Sequence, residues 1–556
     1  VASPSGDSLH HRIPFDEFGP SSRYWLDAFN LEAPLHRFLS IGPVSDIPFP
    51  QERFDLWSKA SGKRKAIVEA IAASNLPLSP VQAKALERLS EPKAMVVVTG
   101  QQPGALGGPL YTYSKILSAI VFSGELQEQW NIPVIPILWD GGDDHDLAEV
   151  DELAWPAGEG GIARYRFGLS QQDGRSAWSV PVTKEMLEGC LAFISEVHPP
   201  TDYRRQTTDF ICSLWEGGAS WCDLFDNLWL RIYADSPLLV ARPWEKLFRV
   251  AAEPVLRKEI ENPMAASLDL ETVSLQLEST GYKPYIHKKK GACSFFWIQG
   301  DERKSVTFED ERFHIEGGKS FSRAEMAEMF DREPGNLSPN ALLRPVVQDS
   351  ILPTAATVLG PSEIAYHAQM GGFYKRHNLP RPWILPRLSI TLAAESQAER
   401  LAQMGLTWKD LKRDEKDLCK RLATSPILDE VLGVIKTLAI QVGASKESLD
   451  SLVKSERPGL SEPLESQFGR MEKILGQVED LFRRAEGKRD ATTLARLKSL
   501  KAHLLPEGEL QERVYGLVPF LCRHGFGWLP DILEDAGTWD GESHVVYVIG
   551  SKEKDV

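Results

Sequence analysis

Two loops in this sequence carry residue types that do chemistry, and one helix-length stretch separates them. The first is Gly100-Gln101-Gln102-Pro103-Gly104-Ala105-Leu106-Gly107-Gly108-Pro109. A glycine loop that opens a helix offers backbone N–H groups and the positive end of a dipole, a setting for phosphate or carboxylate. Gly100, Gln101, Gln102, Gly107 and Gly108 are its candidate contacts, with Tyr111 and Lys115 in the opening turns of the following helix. Neither G-x-x-x-x-G-K-[ST] nor G-x-G-x-x-G is present, and a tight turn with no ligand is the plainer reading of the same glycines. The second loop is Asp140-Gly141-Gly142-Asp143-Asp144-His145-Asp146. Its crowded ionisable groups could bind an amine, orient a base or hold a divalent metal, and they make proton transfer near neutral pH feasible. A solvated acidic turn capping a helix at Leu147 is the alternative.

The elements around these loops place them together. Met95–Thr99 is an apolar, β-rich run with the look of a buried strand. A helix is expected from Leu110 to about Gln129, then a second strand from Val134 to Trp139. Two parallel strands joined by one helix form a βαβ unit, which binds ligands at the carboxyl ends of its strands. Both loops fall at that edge. A second strand-loop-helix follows much later, at Val358-Leu359-Gly360-Pro361-Ser362-Glu363-Ile364-Ala365-Tyr366. Arg344, Gln348, Asp349, Glu363, Tyr366, Arg387 and Ser389 flank it as candidate walls of the same cleft, although each alone reads as a surface or capping residue.

The chain has 556 residues, too long for one core and consistent with roughly three domains. Its hydrophobic content of 42% marks it as globular. With 78 acidic against 63 basic residues and a formal charge of -15, general nucleic-acid binding is disfavoured. The six cysteines form no C-x-x-C pair, so neither a disulfide framework nor a thiolate zinc site is expected. No metal ligands are assigned. No apolar run approaches the ~20 residues of a membrane span, and a signal-peptide pattern is not seen. A reducing cytoplasm is expected.

The fold class expected is α/β. Residues 1–155 are read as the first part of a Rossmann-like core, with an irregular lead-in and a helix break at Asn75-Leu76-Pro77. Residues 156–340 read as a connecting insert. Within it, strands near Tyr285–His287, Ser294–Ile298, Lys304–Phe308 and Arg312–Ile315 form an antiparallel meander, with Lys288-Lys289-Lys290 as a solvated hairpin tip. Residues 341–391 return to the core, 392–505 form a helical arm, and 506–556 return again, ending in a strand from His544 to Ile549. In the arm, Leu464, Phe468, Met471, Leu475, Val478, Phe482 and Ala485 alternate steps of four and three, a heptad seam. That seam suits either an intramolecular hairpin or a coiled-coil dimer.

Beyond these readings, the sequence resembles a known family. Thr99 through Tyr111, Asp144-His145-Asp146, Leu343-Arg344-Pro345, Gln348-Asp349, Gly360 through Tyr366 and Pro386-Arg387-Leu388-Ser389 are similar to the cysteine-adding enzymes of bacillithiol biosynthesis. The family pattern usually has a smaller apolar residue at position 140 and Glu at 143. The resemblance implies a Rossmann-like core, a coiled-coil arm pairing two subunits, and a ligase joining L-cysteine to the amine of glucosaminyl malate. It further implies ATP with Mg2+ as activating cofactor, held at Gly100, Gln101, Gln102, Gly107, Gly108, Tyr111 and Lys115. Asp144, His145 and Asp146 are then the catalytic candidates. Arg344, Gln348, Asp349, Glu363, Tyr366, Arg387 and Ser389 are the substrate contacts, with Arg344 or Arg387 pairing with malate carboxylates. Two rivals stay open: a ligase or nucleotidyl transferase for another amine, and a non-enzymatic dimeric scaffold.

Overall fold

A computed structural model describes residues 10–550, apart from 75, 158–159, 170–173, 216–217 and 424–425. Asn75 of the expected helix break lies outside the described residues, as does the side chain of Ala485 in the heptad seam. The chain divides into two compact units, one of residues 10–157, 162–395 and 509–550, the other a largely helical unit of residues 160–161 and 396–508.

The first unit is built on a parallel sheet of five strands: β1 (Met95–Gln101), β2 (Val134–Asp140), β3 (Leu239–Ala241), β4 (Thr354–Leu359) and β5 (Trp383–Pro386). Their order is β5-β4-β1-β2-β3, all parallel. β1 and β2 are buried almost throughout, which is why they read as unbroken apolar runs. Helix α1 (Leu110–Trp130) connects them and ends where Asn131 takes a left-handed conformation. Leu110, Tyr113, Ile116 and Leu117 on α1 are at most 1% exposed. Burying each contributes roughly 1.5–3 kcal/mol, so the helix is held by packing. Further along, α2 (Arg344–Ile351) precedes β4, and α3 (Pro361–His367) follows it.

The sheet order reverses at β1. From there the chain runs outward through β2 and β3, whereas β4 and β5 lie on the other side. The β1/β4 junction is thus a topological switch point, where open α/β sheets bind ligands.

The stretch read as an insert departs from expectation in two places. Leu239–Ala241 pairs in parallel with Ile137–Trp139, so the edge strand of the core comes from inside residues 156–340. Tyr285–His287 is not a strand. The buried Gln369 side chain accepts from the Tyr285 and Ile286 amides at 2.9 and 2.8 Å and donates to the Ile286 carbonyl at 3.0 Å. Those bonds satisfy backbone groups that a sheet would otherwise take. The meander itself is a five-stranded antiparallel sheet of residues 292–299, 302–309, 312–315, 319–322 and 337–339.

A third sheet joins His10–Pro14, Ser543–Ile549 and Ser389–Ala394. Residues Gln511–Val514 form one helical turn against Ser389–Ala394, and two short helices follow before the strand Ser543–Ile549.

In the helical unit, Pro426–Glu456 and Ser461–Leu504 pack together as a hairpin about a turn at Pro458–Leu460. Phe468 and Ile435 are buried, whereas Met471 is 51% exposed and Val434 57%. No helix among the described residues is long and apolar enough to cross a membrane.

Candidate functional site

The carboxyl ends of β1, β2 and β4 open into a cavity of about 720 Å³, within the range of small-molecule sites. Gly100–Gln102, Asp143, Asp144 and Gly360 line it from the sheet, and Tyr111, Lys115, Glu363 and Tyr366 from α1 and α3. Ile286–Lys289, Phe296, Arg303 and Asn340 complete it from the antiparallel region.

A cationic group occupies the switch point. Lys115 reaches back from α1 and places its ammonium 2.7 Å from Glu363 Oε2, with the Gly100 carbonyl and Gln101 Oε1 as further acceptors. Burial pushes the Lys115 ammonium down from its ordinary range, and Glu363 pulls it partly back. The same Glu363 oxygen accepts from the Gly360 amide at 2.8 Å, closing the start of α3. Arg344 donates to the Tyr366 hydroxyl at 3.1 Å, and its guanidinium covers Gly100. A Cβ at Gly100 would lie 2.8 Å from Arg344 Nη1, so any side chain there would displace the guanidinium.

An acidic group stands at the end of β2. Asp144 Oδ2 accepts from Gln102 Nε2 at 2.6 Å, and Oδ1 accepts from the His145 amide at 2.8 Å. Arg303 Nη1 approaches Asp144 Oδ1 to 3.5 Å while its guanidinium stacks over Phe296. Asp143 is bound separately, by Arg249 at 3.3 Å and Ser338 at 3.3 Å. Gln102 also donates to Glu149 at 3.0 Å and thereby ties the glycine loop to the acidic one. Asp143 and Asp144 are thus held by different partners, while His145 Nδ1 stays 3.7 Å from Asp144 Oδ1.

Several expected site residues lie outside this cavity. Gly107 and Gly108 do not face it. Gly107 packs on Leu228 and Trp229, Leu110 N donates to Tyr515 O at 2.7 Å, and Gly108 N donates to Ala105 O at 3.0 Å. The N–H groups expected to be free for a phosphate are thus used by the protein. His145 turns its ring edge to Phe296, and Asp146 is exposed. Gln348 and Asp349 are buried under the sheet, where Asp349 accepts from Gln348 and the Tyr374 hydroxyl. Ser389 donates to Glu512 at 2.9 Å, away from the cavity.

Arg387 does line the cavity, over the Tyr111 ring. Its two terminal nitrogens are taken by Glu512 at 2.8 and 2.7 Å, so they are not free for the carboxylates assigned to them. Asp140 lies beneath the acidic loop and adds no carboxylate to the site. Successive strand residues alternate faces. Trp139 packs on Phe248, whereas Asp140 is buried against Asp226 and Cys222. Burial and the Asp226 carboxylate raise the Asp140 carboxyl well above its usual range.

Other cavity groups had no assignment from the sequence. Lys288 and Lys289 line the wall, and Lys288 is half-buried and donates to Ser294 at 3.0 Å. The solvated hairpin tip is thereby corrected: with Tyr285–His287 held by Gln369, the lysines follow the cavity edge. Arg303 and Arg513 were also unassigned, as was Glu512, which lies outside the lining and holds Arg387. The lysine run was a visible signal, but nothing local distinguishes Glu512 from any other helical glutamate.

Comparison with known proteins adds a family to this geometry. Residues 23–388 match the N-terminal Rossmann-like domain of bacillithiol biosynthesis BshC, and residues 390–548 match its C-terminal coiled-coil domain. Proteins named "Putative cysteine ligase BshC" are similar over most of their length. That of Solibacter usitatus is 29% identical over 88% of this chain and 90% of its own. That of Geobacillus kaustophilus is 28% identical over 83% and 86%, and that of Salinibacter ruber 27% over 83% and 84%.

Proposed function

The chain belongs to the BshC family of bacillithiol biosynthesis, and from that premise we propose that it is a cysteine ligase. In this reading it joins the carboxyl of L-cysteine to the amine of glucosaminyl malate and forms an amide. The observation that supports it is the meeting of an acidic and a cationic group in one cavity of small-molecule size. An amine and a dicarboxylate require opposite charges at separate ends of a site.

Asp144 is the proton acceptor for the attacking amine. Its carboxylate lines the cavity and is aimed by Gln102 and the His145 amide. Arg344, fixed by Tyr366 and braced over Gly100, is the cation for a malate carboxylate. The Lys115–Glu363 pair holds the ends of β1 and β4 in register beneath both.

A free carboxylate does not acylate an amine, so ATP with Mg2+ is proposed to activate the L-cysteine carboxyl, the phosphoryl or adenylyl group it donates leaving when the amine attacks. Gly107 and Gly108 do not fit a phosphate cradle, because their surroundings are filled by protein. The Gln101 amide, the Tyr111 hydroxyl and Lys289 line the cavity and offer the donors that fit phosphate oxygens. Asp140, where the chain departs from the family pattern, lies outside the cavity and gives no ground for a different amine acceptor.

Two further elements complete the proposal. The arm pairs two copies of the chain through the apolar residues its hairpin leaves exposed, among them Met471, Val478 and Phe482. The enzyme works in a reducing cytoplasm, in keeping with the free thiols of Cys190, Cys212, Cys222, Cys293 and Cys522.

The test is mass spectrometry of the purified protein with L-cysteine, glucosaminyl malate, MgATP and a reductant, beside a control without ATP. Bacillithiol formed only with ATP is expected. Product without ATP would keep the ligation and remove the nucleotide, and no product in either case would overturn the reading.

A further inference from the structure

The cations around Tyr111 differ in how much of their charge is already committed. Lys115 is paired with Glu363 and two further oxygens. Arg387 is locked by Glu512, and both residues are almost fully buried. Arg344 gives one nitrogen to Tyr366. Arg513 stands apart: it lines the same cavity, and its ion-pair partner is Glu509 at 3.6 Å, on side chains 49% and 64% exposed. Such a pair is worth about 0–1 kcal/mol and exchanges readily for a better one.

The backbone carrying Arg513 is, by contrast, tightly held. Gln511 bonds both the amide and the carbonyl of Leu392, at 2.8 and 2.9 Å. Glu512 takes both Arg387 nitrogens, the Ser389 hydroxyl at 2.9 Å and the Ile390 amide at 2.9 Å. Tyr515 accepts from the first amide of α1 at 2.7 Å. Three residues in and just after one short turn therefore fasten the chain on either side of Arg513 and leave its guanidinium at the cavity. Little backbone freedom remains to be lost when that guanidinium binds something. The four cations lining this part of the cavity, Lys115, Arg344, Arg387 and Arg513, face three carboxylates, Glu363, Glu512 and the exposed Glu509, which leaves one positive group in excess. Both Arg513 and Arg387 also act on the Tyr111 phenol, opposing the rise that its burial causes.

We infer that Arg513 is an anion-pairing residue of this cavity, taking a carboxylate or phosphate group of a substrate in exchange for Glu509. The inference rests on the ligase reading for the identity of the substrates, and on the geometry for the site. A planar guanidinium pairs with either anion through two parallel bonds, which a lysine cannot reproduce.

The test uses the full chain as wild type, Arg513→Gln and Arg513→Lys. KM is measured for glucosaminyl malate, L-cysteine and ATP in turn, with the other two saturating. In Arg513→Gln one KM is expected to rise about tenfold or more with kcat changed less than about threefold, and Arg513→Lys to recover part of the loss. The substrate that moves names the anion: malate carboxylate, cysteine carboxylate or nucleotide phosphate. Glu509→Gln, at the exposed rim, should not raise any KM. Three unchanged KM values in an active Arg513→Gln enzyme would overturn the inference and leave the ligase reading standing. If the wild type makes no product, calorimetric binding of L-malate and of MgATP decides instead. Equal affinity in wild type and Arg513→Gln for both probes would overturn it.

Discussion

Lys115 Nζ and Glu363 Oε2 lie 2.7 Å apart across the switch point of the sheet, joining the helix after β1 to the helix after β4. The lysine is 3% exposed, so the pair sits where an unpartnered charge is costly. Glu363→Gln leaves the buried ammonium without its carboxylate, although the amide oxygen can still accept from the Gly360 amide. The expected loss is about 3–5 kcal/mol, read as a lower thermal midpoint, with ligase activity lost in parallel. A midpoint unchanged from wild type would show that the pair does not hold the two halves.

Arg387 and Glu512 form the second buried pair, 125 residues apart in sequence. Burial opposes the Glu512 carboxylate, but Arg387 outweighs it and holds its carboxyl below the usual range. That stabilisation is fully present above the unfolded pKa of about 4.3 and is lost as pH falls through the lowered folded value. Glu512→Gln alone should cost about 3–5 kcal/mol, while the double change Arg387→Met, Glu512→Leu should cost markedly less. Additive losses in the double-mutant cycle would refute the coupling.

Asp144 and His145 are neighbours in sequence and lie 3.7 Å apart at Oδ1 and Nδ1, yet they face different surroundings. Asp144 lines the cavity, whereas His145 packs its ring against Phe296 outside the lining. Asp144→Asn is expected to lower kcat by about a hundredfold or more, and His145→Ala by less than tenfold. The reverse order would transfer the base to His145. Less than tenfold in both would remove this loop from the chemical step.

His524 supplies a pH dependence outside the cavity. Burial, with Arg523 and His198 nearby, lowers its pKa to about 4. The unfolded chain takes up a proton near pH 6.5 and the folded chain does not, so stability falls as pH drops from about 6.5 toward 4 and is unaffected above that window. The loss should reach about 1–3 kcal/mol by pH 4. In His524→Gln, denaturant unfolding at pH 7 and pH 4.5 should show a smaller difference than in wild type. An equal difference would rule His524 out as its source.

The arm makes a prediction about assembly. Met471 and Phe482 remain exposed on the hairpin, at 51% and 36%. Sedimentation of the wild type is expected to give a dimer and of Met471→Glu, Phe482→Glu a monomer with unchanged helicity. A monomeric wild type would leave the seam serving the hairpin alone.

The sequence by itself determined the local elements. The apolar runs at Met95–Thr99 and Val134–Trp139, the helix between them, and the strand-loop-helix at Val358–Tyr366 all follow from unbroken hydrophobicity and glycine or proline punctuation, and each falls on observed elements. It also brought Gln101, Gln102, Asp144, Lys115, Arg344 and Glu363 forward as a set, because residues at the carboxyl ends of parallel strands share one edge. What it could not determine was partnership. Gly107 and Gly108 read as a cradle until Leu228, Trp229 and Tyr515 were seen to fill their surroundings. Asp140 and Asp144 are both carboxylates of one acidic stretch, but the last residue of the strand is buried against Asp226 and Cys222 while the loop beyond it leaves Asp144 at the cavity. Tyr285–His287 had the composition of a strand, and Gln369 took its backbone bonds. Arg387 read as a free cation because Glu512 is too distant in the chain to leave any periodic trace. Periodicity records which face of an element is buried, and only the tertiary structure decides what that face meets.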